Sequence, residues 1–541
     1  MNLSGLLSEI TELPAYRELL QALGRGTPET AARVSVLDAA KAYLIACVRQ
    51  DIGRPVLVVT SSGQRAAQLV EELQVWSQTG AMLYPETETL FYERTSSDPV
   101  SRQERIRALV KLTQRQQGDR PPIVVAPARA LMQKIVEARQ FTTATKCLVH
   151  GDVVDVNQML LGWLGNGYRR ELVVEDRGGF ARRGGIVDIF PVTSSLPVRI
   201  ELFGDEIDTI REFDPATQRS GERLESILIP PARETELRVP VILSRLAALD
   251  LSSLRPEALE QWRKDIEAIE ESGISEELAF YASVCGEATL LDYLGQDALL
   301  ILDDVSETRA TIRDLDEQAR NLRRELLELG ELPGNFPKPY CCWTEMENAF
   351  ARKNRLEFAW REGFAELDGL VEPWGSVFQA VPTYGGRIKM VVDDIRKALR
   401  SNGRLVVATQ QAQRLLELLN ERGLPARLAD SLETAPSRGS VVVVHEALHE
   451  GFQFAPGNGR PGITLLTDLE IFGWSKPRRV VQRKSVQRDA FLSDIEIGDL
   501  VVHVDHGIGR FRGLTRIADD GAEREYLAVE YAEGDRLYVP T

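Results

Sequence analysis

The chain has 541 residues and a formal net charge of −16, with 27% charged and 43% hydrophobic residues. A length of this kind holds roughly three to four domains, each able to bury its own core, and the acidic balance opposes nucleic-acid binding through the whole surface, leaving any such contact to local basic segments. Five cysteines (Cys47, Cys147, Cys285, Cys341, Cys342) form no C-x-x-C pair, and no apolar run approaches the ~20 residues of a membrane span. The expectation is a soluble, cytoplasmic, multidomain protein without disulfides or zinc ribbons.

From the start to about residue 140, helical patterns alternate with the apolar runs "PVLVVT" (55 to 60), "AMLYP" (81 to 85) and "PIVVAP" (122 to 127), a rhythm that predicts a parallel sheet flanked by helices. After a short helix, "NQMLLGWLGNGY" (157 to 168), the segments "RRELVVEDRGGFARRGGIVDIFP" and "VRIELFGDEIDTIREFD" read as antiparallel hairpins with Gly-containing turns. The chain then turns helical to about 330, with one buried strand, "ALLILDD" (298 to 304), that returns to the first sheet if the hairpin module is an insertion. Strand and helix alternate again over 374–475, which predicts a small doubly wound α/β domain. Lys476, Arg478, Arg479, Arg483, Lys484 and Arg488 follow with no acid between them, as a basic linker. The last stretch, from "GDLVVHVDHGIGRFRGL" to "RLYVPT", has four short strands and Gly turns and predicts a small β-barrel of the Tudor or SH3 sort. It stops on a strand, as if further domains followed.

Two motifs invite chemistry and lack its context. His445, Glu446 and His449 spell H-E-x-x-H, but zinc binding by that motif needs both histidines on one helical face, and here four valines of a predicted strand precede His445 and Gly451 follows closely. Glu470, a conceivable third ligand, lies in a predicted strand that runs into a turn. A phosphate loop belongs where the first strand meets its helix, in "TAARVSVLDAAKAYLIACV", and needs G-x-x-x-x-G-K-[ST] to wrap backbone N–H groups around phosphates. Lys41 has neither the glycines before it nor the hydroxyl after it. Asp303 and Asp304 at the end of "LILDD" then read as strand-end capping residues. His503, Asp505 and His506 straddle a tight turn without a further ligand.

Three segments carry a family resemblance. "ARRGGIVDIFP…LPVRIELFGDEIDTIREFDPATQRS" closely resembles the module shared by UvrB and the transcription-repair coupling factors; "TLLTDLEIFGW", the basic linker and "GDLVVHVDHGIGRFRGL…EYLAVEYAEGDRLYVP" resemble the coupling factors alone, the last part being similar to CarD proteins; "LYPETETLFYERTSSDPVSRQERIRAL" fits their first domain. The resemblance implies a degenerate UvrB-like helicase-fold domain over 1–141 and 222–330, an inserted UvrA-binding module over 142–221, a helical or irregular connector over 331–373, the small α/β domain over 374–475 with no assigned chemistry, a linker over 476–495, and a CarD-like RNA-polymerase-interacting domain over 496–541. Family members continue into an ATP-driven DNA translocase. The expected role is therefore that of an adaptor, not an enzyme, with no cofactor in this chain, since ATP and magnesium belong to the missing motor. Expected partners are UvrA and the polymerase β subunit, with double-stranded DNA reached mainly through the missing motor, no membrane, and a monomeric state. Alternatives are a UvrB-like ATPase fragment and a zinc peptidase.

The resemblance also implies site residues. UvrA contact falls on Arg169, Arg183 and Phe190, where arginine suits paired hydrogen bonds to carboxylates and Phe190 reads equally well as buried core. Arg182, adjacent on the strand, points to the opposite face, and Ala181 replaces an arginine of UvrB-like sequences, which implies a weaker patch. Polymerase contact falls on Ile517, flanked by Leu514 and Arg510, with Phe511 read as interior.

Overall fold

The structure, a computed structural model, describes the chain apart from residues 1, 25–30, 78–79, 88–90, 93–97, 115–119, 236–237, 275–277, 359–373, 375–376, 457–461, 475–497, 504–506, 520–521, 532–535 and 541. The basic linker falls within the residues not described. Among the described residues no helix is long and apolar enough to cross a membrane, and all five cysteines are unpaired.

Apolar runs over the first 130 residues form strands β1 (Ala32–Val34), β2 (Val56–Thr60), β3 (Ala81–Leu83) and β4 (Ile123–Pro127). The chain then leaves to build β5 (Lys146–Val149), β6 (Arg169–Arg170), β7 (Gly179–Arg183), β8 (Ile186–Ile189), β9 (Val198–Phe203), β10 (Glu206–Phe213), β11 (Ser220–Arg223) and β12 (Ser226–Ile229), and returns as β13 (Leu299–Leu302) and β14 (Asn354–Phe358). The first sheet is parallel throughout, in the order β1-β14-β13-β2-β4-β3. The strand at 298 to 304 thus rejoins the first sheet, as expected of an inserted module. Two boundaries differ from the sequence reading. β12 pairs antiparallel with β5, so the module is hydrogen-bonded to itself as far as residue 229 and does not end at 221. The connector over 331–373 is not merely helical and irregular, because it contains β14, which lies between β1 and β13. That strand hides in the sequence because two of its five residues are polar and buried: Asn354 donates to the Leu23 carbonyl at 2.6 Å, and Glu357 is bound by Arg33 and Arg355 at 3.0 and 2.7 Å.

The 374–475 region forms β15 (Phe378–Ala380), β16 (Arg404–Ala408), β17 (Ala426–Ala429), β18 (Val441–Val444), β19 (Phe452–Phe454) and β20 (Ile463–Thr467), in the order β15-β19-β20-β16-β18-β17. Side chains alternate across this sheet with the period of two that strands impose. Leu405, Val407, Val441 and Val443 face the region's own helices Ile388–Arg400 and Ala412–Glu421, while Val406, Ala408, Val442 and Val444 face the other way. That second face is covered by helix Asp38–Ile52 of the first domain, whose opposite side packs on Val56, Val58, Leu299, Ile301 and Leu356 of the first sheet. The doubly wound arrangement is therefore completed by a helix borrowed from the first domain. Residues 40–49 of that helix are all buried, Lys41 and Arg49 among them, because the helix is covered on both sides. Tyr43 anchors the shared core, its ring 5.1 Å from Trp76, 5.9 Å from Phe378 and 5.6 Å from Phe452.

A separate unit, residues 477–541, contains β21 (Leu500–His503), β22 (Gly507–Asp519), β23 (Ala522–Glu530) and β24 (Arg536–Pro540) as an antiparallel meander. Among the described residues no pairing joins β21 to β24, so this is an open four-stranded sheet where the sequence suggested a barrel. Phe511 is buried, as read.

Lys41, at the place where a phosphate loop would present its lysine, is turned into the protein. Its ammonium lies 2.7 Å from an Asp38 carboxylate oxygen, 2.8 Å from the Asp303 carbonyl and 3.2 Å from the Asp303 carboxylate. Arg65 donates to the same carboxylate at 2.9 Å. Asp304 caps helix Val305–Glu328 as expected, accepting from Glu307 N at 2.9 Å, but Asp303 does not cap; it is the buried counter-ion. Burial works against both charges of the pair. The facing carboxylates nevertheless hold the Lys41 ammonium above its ordinary value, and Lys41 and Arg65 hold the Asp303 carboxyl below its own. The Lys41 contribution is present below about pH 10.4 and lost above it, whereas the Asp303 contribution is present above about pH 3.9 and lost as pH falls through its lowered value. The pair is intact between. Removing Lys41 leaves the buried Asp303 carboxylate with Arg65 as its only cation, so Lys41→Ala should cost about 3 kcal/mol at neutral pH. Denaturant midpoints of the two proteins should converge only below about pH 4; a constant gap down to pH 2 would mean that the ion pair is not what the lysine contributes.

Candidate partner-binding face of the inserted module

The module's sheet runs β11-β10-β9-β8-β7-β6, and its two faces differ in kind. On one, Phe180, Val187, Ile189, Ile200 and Ile210 pack beneath helix Val156–Gly165, with Trp163 set edge-on against Phe180 at 5.6 Å. The other face has only a small apolar cluster, Val174, Ala181, Phe190 and Phe213. The rest of it is polar. The sheet is antiparallel except for the parallel β6–β7 pair, and a largely antiparallel sheet commonly packs one face and leaves the other open.

Arg169 pairs in register with Gly179 on β7, and Arg183 lies four residues further along, so both side chains stand on the open face, roughly 13 Å apart at the 3.3 Å rise of a strand. Arg183 donates to the Leu172 carbonyl at 3.0 Å, and Arg169 approaches the Glu171 carboxylate at 3.6 Å. Gly179 lies close beneath them, and a Cβ there would press on the same carboxylate and push Glu171 aside. Arg182 goes the other way, donating to Asn157 of the covering helix at 2.9 Å. The opposite facing of Arg182 and Arg183 read from strand alternation is thus what the structure has. Phe190 is a correction. It is 5% exposed, packs with Ala181, and lies under the Arg177 guanidinium at 5.0 Å, so it supports the face without reaching a partner. Ala181, buried in the same cluster, leaves room for that aromatic ring.

Sequence reasoning missed the cross-strand register that brings further arginines together. Arg199 on β9 stands opposite Arg211 on β10, which stands opposite Arg223 on β11. Like charges directly opposite one another destabilise a sheet. Only the first is neutralised within the sheet, by Asp188, which accepts from Arg199 at 2.7 and 2.9 Å and is itself buried. This hydrogen-bonded partner raises the Arg199 guanidinium above its ordinary value, and the group lies 4.8 Å over the Phe213 ring. The signal was present as R at alternate strand positions, but the bulge between Ile207 and Thr209 resets the register and cannot be read from spacing. Exposed apolar side chains border the face: Leu172 at 91% and Phe203 at 83%.

The H-E-x-x-H motif, set aside in the sequence reading, has no helix to sit on. His445 and His449 are both exposed on an extended stretch with no helix between β18 and β19, so they share no helical face. Glu470 is not in a strand but in the short helix Asp468–Phe472, where it closes a capping box on Thr467 and accepts from Gly451 N at 3.1 Å. Among the described residues no three His, Cys, Asp or Glu side chains are placed to hold a metal. His503 ends β21, while Asp505 and His506 lie outside the described residues. On β22, Arg510 is exposed and donates to the Gly498 carbonyl at 2.9 Å. Leu514 pairs with Leu527 and Ile517 with Arg524 in the long β22–β23 hairpin.

Comparison with known proteins adds two domain matches and a set of similar proteins. Residues 146–234 match the UvrB interaction domain and residues 495–541 the CarD-like/TRCF RID domain. The first match covers β5 to β12, the unit the hydrogen bonding delimits. The chain is 26% identical to the transcription-repair-coupling factor of Bacillus subtilis (strain 168) over 98% of its own length and 46% of that protein. It is 25% identical to that of Staphylococcus aureus (strain bovine RF122 / ET3-1) and 26% to that of Staphylococcus haemolyticus (strain JCSC1435), in each case over 93% of this chain and 43% of the relative. It thus spans somewhat less than half the length of these relatives. Two domain matches lie at the positions where the sequence carries the resemblance, and the chain is similar to the transcription-repair-coupling factors of these organisms through nearly its whole length.

Proposed function

We propose that this chain is a cytoplasmic adaptor between stalled transcription and nucleotide excision repair, in which the inserted module recruits UvrA and the 496–541 sheet binds the β subunit of RNA polymerase. The observation that carries the reading is the arginine-bearing open face on a UvrB interaction domain. Arg169, Arg183, Arg211 and Arg223 supply forked donors to carboxylates of a partner, and pairing there relieves the like-charge register across β9, β10 and β11. The chain acts as a monomer and does no chemistry of its own; DNA translocation belongs to the motor of longer relatives.

Three outcomes test this. In a binding assay with UvrA and neither ATP nor DNA, Arg183→Ala and Arg211→Ala should each cost about 1 to 3 kcal/mol, and binding should weaken with salt. Arg182→Ala should leave affinity unchanged, since its side chain lies on the helix-covered face; the reverse ranking of Arg182 and Arg183 would refute the assignment of faces.

For the polymerase, Ile517→Arg should abolish capture of the β subunit, because a charge would be buried in a small apolar contact. A folded variant that bound polymerase as well as the parent would place the contact elsewhere.

Steady-state assays should detect no ATP hydrolysis, because the one lysine at the phosphate-loop position is committed to Asp303 and Asp38. Turnover above the blank that disappears in Lys41→Ala would make the chain an ATPase after all.

A further inference from the structure

Large apolar side chains left in water need no account when they are scattered, but in the inserted module four of them gather at one end of its sheet. Two tight turns lie side by side there. Gly184 and Gly185 join β7 to β8, Gly204 and Asp205 join β9 to β10, and Leu202 N donates to the Gly185 carbonyl at 2.8 Å. The last ladder pair before the first turn is Arg183 with Ile186, and the last before the second is Phe203 with Glu206. Each turn is thus closed by one charged and one apolar residue.

The register sets all four of these side chains on the open face. Ile186 pairs with Arg183 on one side and with Glu201 on the other, and paired residues share a face. Phe203 stands two residues beyond Glu201, hence on that face again, as a diagonal neighbour of Ile186 within the reach of an aromatic ring. Glu206 follows from its pairing with Phe203, and Val153 from its bridge to Glu206. Leu172 adjoins the other end, since its carbonyl accepts from Arg183 at 3.0 Å. The order across the sheet is therefore Leu172, Arg183, Ile186, Phe203, Glu206, Val153. Leu172, Phe203 and Val153 are 91%, 83% and 78% exposed, Ile186 is 37% exposed, and none of the four belongs to either apolar cluster of the module. The cores close without them.

An aromatic ring and aliphatic side chains beside an arginine are the composition of an interface centre, and the charges at the two ends of the strip state what it fits. We propose that this strip is the apolar anchor of the module's partner interface: Phe203, with Ile186 and Leu172 beside it, enters an apolar recess on UvrA that carries a carboxylate on the Arg183 side and a cation on the Glu206 side. The inference rests on the reading that the open face binds UvrA. It adds a division of labour to that reading, in which the arginines steer the approach and burial of the ring slows the departure. Opposite charges at the two ends allow one direction of docking.

The test measures association and dissociation rates of the full chain on UvrA over a range of salt, for the parent, Phe203→Ser, Leu172→Ser and Arg183→Ala. Phe203→Ser should weaken binding roughly tenfold or more through faster dissociation, with the salt dependence of the parent. Leu172→Ser should act in the same direction and less. Arg183→Ala should instead flatten the salt dependence. Because Phe203 and Leu172 are exposed, both serine variants should keep the parent's denaturant midpoint, which a parallel unfolding curve checks. If Arg183→Ala weakens binding while both serine variants match the parent, the anchor is refuted and the arginine face stands. If the parent does not bind UvrA, the reading of the face fails and the anchor with it. A chain that sediments as a dimer, and as a monomer in Phe203→Ser, would assign the strip to a second copy and overturn the proposal.

Discussion

The burial of helix Asp38–Ile52 between two sheets is the constraint from which most of this architecture follows. A helix covered on one side by the first sheet and on the other by the sheet of 374–475 can carry no unpaired charge, so Lys41 must find Asp303 at the end of β13, and the end of the sheet where a nucleotide would sit becomes a protein ion pair. The same burial welds the two α/β domains into one core, because Tyr43 of the helix and Phe378, Phe452 and Phe454 of the second sheet lose their contacts together.

The inserted module obeys a different logic. Its sheet needs only one buried face to fold, and helix Val156–Gly165 supplies that cover through Trp163. The open face is free to be polar, and it is populated by arginine, whose planar fork suits a carboxylate-bearing partner better than the compact charge of lysine. A sheet also fixes such side chains more rigidly than a loop does. Asp188, buried under Arg199, sets one guanidinium in place, and Gly179 keeps Glu171 close to the base of Arg169.

Motifs without their secondary structure carry little. H-E-x-x-H here is the stretch that follows a strand, and the acidic end of β13 serves neither metal nor helix cap at Asp303 but a buried lysine. In both cases the residue types allow a chemistry that the backbone does not assemble, since a ligand set needs its side chains on one face of one element or converging from several.

Local periodicity was enough to find the parallel strands of the first domain, the hairpins of the module and the alternation of the 374–475 region, because runs such as "VLVVT" and "VVVV" are apolar on both faces and buried for that reason alone. Strand alternation likewise separated Arg182 from Arg183. The family resemblance, which rests on whole segments, was legible for the same local reason. What tertiary structure alone decided were the contacts between distant segments. The place of β14 in the first sheet depends on Asn354 and Glu357 finding Leu23, Arg33 and Arg355, the burial of Phe190 depends on Ala181 and Arg177, and the ladder of Arg199, Arg211 and Arg223 depends on a bulge that shifts one strand by a residue. Sequence spacing determines which face of an element a side chain takes; only packing determines what that face meets, because the partners lie up to hundreds of residues away and are selected by fit and charge.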